Sequence, residues 1–284
     1  MNRTYSRAAA LLALCLCLTL ACPALAAGQK NPLPVDTSAL PVPIDEGLSY
    51  NLAFEYGNKS YLKGDYLKAE SYYLLTIRKM TKMARYTYGD VGNNLALTYL
   101  QLEKNEEAYA LCRCLLTENL AASAKEKYGY MLNYLVCAHA CGIPAAKALK
   151  EALDEGFFSF DDLSQDAQKD PGEYAKLFTG MLYNVVYMDM EGDVPGGAAS
   201  YAYYPSDRLS DLDSADLMED LAARAGKGED GQAIAEDMSK AEYLGFLQDV
   251  LEQANEWNRE TFGQADPDIE ALLVYLDALK DQAE

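Results

Sequence analysis

The chain has 284 residues, half of them apolar, with 24 Lys and Arg against 44 Asp and Glu, a formal net charge of −20 and one His. A net negative chain does not neutralise phosphates, which argues against a nucleic-acid partner. The apolar half excludes a wholly disordered acidic chain, and a lone His leaves almost no room for a His-built metal site or a catalytic triad.

In chain order, the first element is a targeting signal. Arg3 and Arg7 precede an apolar run from Ala8 to Leu20, followed by Pro23 and the small residues Ala24-Leu25-Ala26-Ala27. This is the layout of a secretory signal peptide, expected over residues 1–26, and its apolar run from Ala8 to Leu20 is too short to span a bilayer comfortably. Leu20-Ala21-Cys22 resembles a lipoprotein processing site with Cys22 as the lipid acceptor, but Thr19 and Pro23 depart from that pattern. Export without an anchor, into the cell envelope or outside the cell, is the expectation, with lipid anchoring through Cys22 the alternative. Cleavage would leave four Cys, at 112, 114, 137 and 141, and 22 basic against 44 acidic residues. Residues 27–49 hold Pro32, Pro34, Pro41 and Pro43 with little periodicity, which predicts an extended linker.

Residues 50–156 carry a degenerate repeat. Its first copy is Tyr56-Gly57-Asn58, then Gly64-Asp65-Tyr66-Leu67-Lys68-Ala69, Tyr73 and Ile77. A second copy runs through Leu95-Ala96, Tyr99, Asn105 to Ala108, Cys112 and Leu115, and a third through Leu135 to Ala140, Gly142, Ala145, Leu149 and Ala152. Ala69, Ala108 and Ala145 stand 39 and 37 residues apart. Gly57 predicts a close helix approach, Gly64-Asp65 a tight turn, Ala69 a helix crossing, and Pro144 the first residue of a helix. The segment resembles the tetratricopeptide (TPR) repeat, a helical hairpin of about 34 residues. Asp154 to Phe157, with Phe160, Leu163 and Asp166, resembles the apolar cap that closes many such arrays.

The resemblance implies a superhelix with a concave groove lined by the first helix of each hairpin. The family's groove positions fall here on Phe54, Asn58, Tyr61, Asn94, Leu97, Tyr130, Asn133 and Tyr134. Such an amide-rich, aromatic surface suits an extended backbone or a partner helix. One TPR subclass clamps a C-terminal carboxylate with two Asn and three basic residues. Asn58 and Asn94 match its Asn pair, but Phe54, Tyr130 and Tyr134 replace the cations, so that clamp is rejected. Equally, the Asn residues could simply satisfy local helix and loop groups.

Cys137 and Cys141 share one helix face, whereas Cys112 and Cys114 point to different sides of the preceding helix. A cross-helix disulfide between the pairs is open to an exported chain, with plain core filling the main alternative and metal binding a weaker one. His139 reads as a core or boundary residue. Gly226-x-Gly228-x-x-Gly231 spells a dinucleotide fingerprint but follows a helix-like run, so it reads as a loop. Asp189, Glu191 and Asp193 resemble a calcium loop until Val194 occupies the position that requires Gly, which leaves only a weak cation site.

The charge is unevenly spread. Residues 27–156 hold 14 basic and 15 acidic side chains, and residues 157–284 hold 8 and 29, so nearly all the excess belongs to the second half. There the pattern predicts helices over 173–188, 213–225, 232–262 and 267–283, a loop over 192–206 and a short strand at 201–204. The stripes Leu244, Leu247, Val250, Leu251 and Ile269, Leu272, Leu273, Tyr275, Leu276, Leu279 read as core, with the acids facing outward to maintain solubility or meet a basic partner.

The expectation is therefore an all-α chain: a TPR-like helical-hairpin solenoid of about three repeats, then a capping segment and acidic helical C-terminal domain over 157–284. The resemblance implies a non-enzymatic protein–protein interaction scaffold. Its partners would be a protein or peptide in the groove and a basic partner at the acidic C-terminal half, with no nucleic acid, no membrane span after signal cleavage, no cofactor and no catalytic or metal residues. The rival is a glycan-binding or glycan-processing envelope protein using Tyr and carboxylate surfaces.

Overall fold

The computed structural model describes residues 31–80, 85–160, 181, 185, 188–189 and 239–283. Regular structure among them is entirely helical. Three hairpins follow one another: α1 (Tyr50–Leu62) with α2 (Tyr66–Lys79), α3 (Arg85–Gln101) with α4 (Asn105–Thr117), and α5 (Ala124–Ala140) with α6 (Ala145–Asp154). Then come α7 (Lys240–Phe262) and α8 (Pro267–Ala283). Among the described residues, no helix is long and apolar enough to cross a membrane.

Small residues set the hairpin geometry. A Cβ on Gly57 would stand 2.6 Å from a Tyr73 ring carbon, so α1 and α2 can approach closely only because residue 57 has no side chain. Gly64, at φ +76°, turns the chain between them. Ala69, Ala108 and Ala145 are each fully buried near the start of a second helix. Consecutive helices pack against each other from α1 to α6, and the first helices also touch, α1 with α3 and α3 with α5. α7 packs on α6 and on α8. One apolar core runs from Leu33 through all three hairpins to Leu276.

Polar ties reinforce the hairpin order. Lys104 donates to both carboxylate oxygens of Glu70, at 2.7 and 2.8 Å, and the Glu70 side chain is only 5% exposed. Such a buried carboxylate depends on its cation, and removing one partner of a buried pair costs about 3–5 kcal/mol. Asn105 Nδ2 donates to the Ala140 carbonyl at 3.0 Å, linking the second hairpin to the third.

The proline-rich segment is extended but is held against the array along its length. Leu33 is buried beside Gly92, where a Cβ would meet Leu115 Cδ2 at 2.8 Å and Leu33 Cδ2 at 3.1 Å. Cys114 Sγ donates to the Pro32 carbonyl at 3.3 Å, Arg78 Nε to the Thr37 carbonyl at 2.6 Å, and Val42 N–H to Ser71 Oγ at 3.0 Å. Arg78 also pairs with Glu46 at 2.8 Å. Composition predicts the extended backbone and is silent about this docking.

In the second half, α7 begins at Lys240 with a Ser239–Glu242 capping box, eight residues inside the helix predicted from Gln232. Residues 232–238 lie outside the described residues. α7 ends at Gly263, φ +77°, and Asp266 Oδ1 accepts the Ile269 N–H at 3.3 Å to start α8, whose span matches the predicted 267–283. Leu244, Leu247, Val250, Leu251, Ile269, Leu272 and Leu276 are buried as the stripes predict. Of the predicted helix over 173–188, Met181, Val185 and Met188 are described, helical and buried. The predicted helix over 213–225, the strand over 201–204 and the glycine fingerprint lie outside the described residues.

Candidate functional site

The amides expected in the groove form hydrogen-bonded rungs between hairpins. Tyr73 Oη donates to Asn58 Oδ1 at 2.8 Å, and Asn94 Nδ2 donates to the same oxygen at 3.0 Å, joining α1, α2 and α3. One step along, Asn133 Nδ2 donates to Asn93 Oδ1 at 2.7 Å, joining α5 to α3. Each rung pairs polar atoms across neighbouring hairpins, so these side chains hold one hairpin against the next whatever else they do.

The eight groove positions divide by accessibility. Phe54, Asn58, Tyr61 and Asn94 are half-buried, while Leu97, Tyr130, Asn133 and Tyr134 are buried. The first four are brought together at the first hairpin, where Phe54 lies against Tyr73 with centroids 6.0 Å apart and Tyr61 meets Tyr66 edge-on at 5.4 Å. The Tyr61 hydroxyl is shielded and makes no hydrogen bond, and burial pushes its pKa up to about 12. It therefore stays protonated at neutral pH, an unpaired donor enclosed on α1.

The later four serve the interior. Tyr134 stacks on Tyr109 at 5.2 Å, shares a 3.1 Å hydroxyl contact with it, and takes the edge of Phe157 at 5.7 Å. Tyr130 occupies space left by Gly89, where a Cβ would lie 2.6 Å from its hydroxyl and 2.4 Å from the Leu120 carbonyl oxygen. Burial raises both phenols well above their ordinary value.

Cys112, Cys114, Cys137 and Cys141 are all thiols. Cys112 and Cys137 are fully buried with their sulfurs 3.6 Å apart, Cys114 faces Pro32, and Cys141 is half-buried at the end of α5. Burial pushes the Cys114 thiol up to about 11, and burial with the neighbouring Cys112 raises Cys137 well above the ordinary thiol range. Neither is poised as a nucleophile. Among the described residues, no three or more His, Cys, Asp or Glu side chains converge as a metal site would require.

Two features escape the sequence reading. Pro144 stands at the N-cap of α6, one position before its expected place, and offers no side-chain acceptor. Asp189 supplies one from far along the chain, accepting Ala145 N–H at 2.6 Å and Ala146 N–H at 2.9 Å. It is buried, with His139 Nδ1 3.9 Å away, and desolvation raises its pKa against the lowering effect of those amides. Asp189 thus has a structural task at a helix N-terminus; Glu191 and Asp193, its companions in the expected weak cation site, lie outside the described residues. Pro144 signals a missing cap, but nothing local identifies the acid that fills it.

The second feature is a shallow pocket of about 320 Å³ between the end of α6 and one face of α7. Phe158, Phe160 and Trp257 give it an aromatic lining, and Gln253, Glu256 and Glu260 bring polar groups. Residues 253, 256, 257 and 260 follow helical spacing, a signal obscured because the acids read as an ordinary solvated face. No family model, curated protein or solved structure matches this chain.

Proposed function

We propose that this chain is an exported, non-enzymatic interaction scaffold in which three TPR-like hairpins hold an extended peptide or a partner helix. The contact face is the first-helix surface where the first hairpin meets the second, with Phe54 and Tyr61 of α1 packing apolar side chains and Asn58 of α1 and Asn94 of α3 meeting backbone groups. The later groove positions Leu97, Tyr130, Asn133 and Tyr134 support that face from inside.

The observation that carries this reading is that the hairpins already grip one extended segment, residues 31–48, through side chains of the second helices α2 and α4, while the half-buried first-helix positions Phe54, Asn58, Tyr61 and Asn94 are not used in that grip. The hairpins hold an irregular, proline-rich stretch through one seated apolar residue, Leu33, and side chains that address backbone groups at Pro32, Thr37 and Val42. That is the chemistry of extended-peptide recognition: backbone hydrogen bonds hold the strand, and a pocket selects the side chain. A peptide array probed with the full chain and with a Phe54→Ala/Tyr61→Ala double variant tests it. The reading expects peptides whose signal falls at least tenfold in the variant; equal signals would move the contact elsewhere.

The pocket beside Trp257 favours a second reading, a glycan site with ring stacking and carboxylate hydrogen bonds. Trp257 is the chain's single Trp, so its fluorescence reports that pocket directly. A saturable change on titration with envelope-type oligosaccharides would support this alternative, and a flat response would remove it.

A further inference from the structure

We propose that Cys112 and Cys137 form a disulfide that covalently joins the second hairpin to the third. Their sulfurs lie 3.6 Å apart across the α4–α5 interface, both fully buried. A disulfide needs sulfurs at about 2.05 Å, so closure requires about 1.5 Å of approach, within reach of small side-chain rotations between two packed helices.

The remaining pairings are worse on geometry. Cys114 lies two residues from Cys112 on α4 and is turned away, its sulfur donating to the Pro32 carbonyl at 3.3 Å. Cys137 and Cys141 are four apart at the end of one helix, where β-carbons are about 5–6 Å apart. A disulfide holds them at about 3.5–4.5 Å. Among the described residues, only one cross-helix contact thus places two sulfurs together, and it selects one of the pairings that spacing alone leaves open.

The chemistry is thiol–disulfide exchange with a low-molecular-weight disulfide, R–S–S–R. One cysteine thiolate attacks it, forming a mixed disulfide and releasing R–S⁻; the second displaces the other R–S⁻ and closes the protein bond. In sum, two protein thiols lose two hydrogens and one external disulfide becomes two thiols. In the finished fold both thiols are fully buried, out of reach of an external disulfide, so the bond closes while the chain folds. Once closed, it is equally shielded from reductants.

The test refolds the full chain in a buffer of reduced and oxidised glutathione, alkylates free thiols and digests with trypsin. Cleavage after Lys104 and Arg113 separates Cys112 from Cys114, while Cys137 and Cys141 stay together in the peptide 128–147. The expected product lacks two hydrogens, links peptide 105–113 to 128–147, and carries the alkyl label on Cys114 and Cys141. A Cys114→Ser/Cys141→Ser double variant must close the same bond, and this variant does not touch the core pair. Four alkylated cysteines in the refolded helical protein, or a bond that uses Cys114 or Cys141, would overturn the proposal.

Discussion

The first and third helical hairpins treat their first helices differently. α1 buries only Ala53, Gly57 and Ser60, so Phe54, Asn58 and Tyr61 remain reachable. α5 buries Tyr128 and every residue from Tyr130 to Ala138. The difference lies in the neighbours: α1 is flanked by one hairpin, while α5 is enclosed by α3, α4 and α6 and takes the edge of Phe157. Corresponding positions of successive hairpins therefore share a direction without sharing an environment, and tyrosine is half-buried at one end and a core residue at the other.

The sharpest way to break that contrast is to truncate one tyrosine from each hairpin. Tyr134→Ala removes a fully buried ring and should destabilise by about 3–5 kcal/mol in urea unfolding, whereas Tyr61→Ala should lose about 1–2. Equal losses would mean that the first hairpin is as much a core element as the third. Next in size, Lys104→Met should cost about 3 kcal/mol by stranding Glu70, and adding Glu70→Leu should restore most of it, because an apolar pair replaces a buried ion pair without an uncompensated charge. No recovery would show that the tie between the first two hairpins does not depend on that charge.

Leu33→Ala should cost about 2 kcal/mol and free residues 31–48 for proteolysis before the helices unfold. Unchanged protection would mean that the polar contacts alone hold the segment. The smallest effect concerns pH. Asp189 has a raised native pKa, so the folded state binds more protons than the unfolded one between about 3.9 and that native value. Its contribution to stability is fully present below the unfolded pKa and falls as pH rises through the native one. The stability of the wild type relative to Asp189→Asn should therefore decline from pH 3 to neutrality; a rise over that range would reverse the assignment of burial as the dominant cause.

Legibility followed the range of each signal. Asp266-Pro267 starts a helix, Gly57 admits Tyr73, and Ala69, Ala108 and Ala145 mark close packing because each acts on residues a turn or one hairpin away. The apolar stripes of α7 and α8 were equally readable from periodicity. The docking of Leu33 depends on the missing side chain of Gly92 in another hairpin, and the cap on α6 depends on Asp189, one acid among many in the second half. The groove was half legible: register identifies which residues face the same way as Asn58, but burial of Asn133 and Tyr134 is decided by what packs over them.

The central claim, that the first hairpin presents the contact face, is tested most directly by replacing Tyr61 with a photo-reactive phenylalanine in the full-length chain and irradiating it in its native host. The account predicts a polypeptide adduct at position 61 that disappears in Phe54→Ala and Asn58→Ala backgrounds, with no such adduct when Glu260 carries the probe. Adducts confined to carbohydrate, or polypeptide captured at position 260 and never at 61, would contradict it.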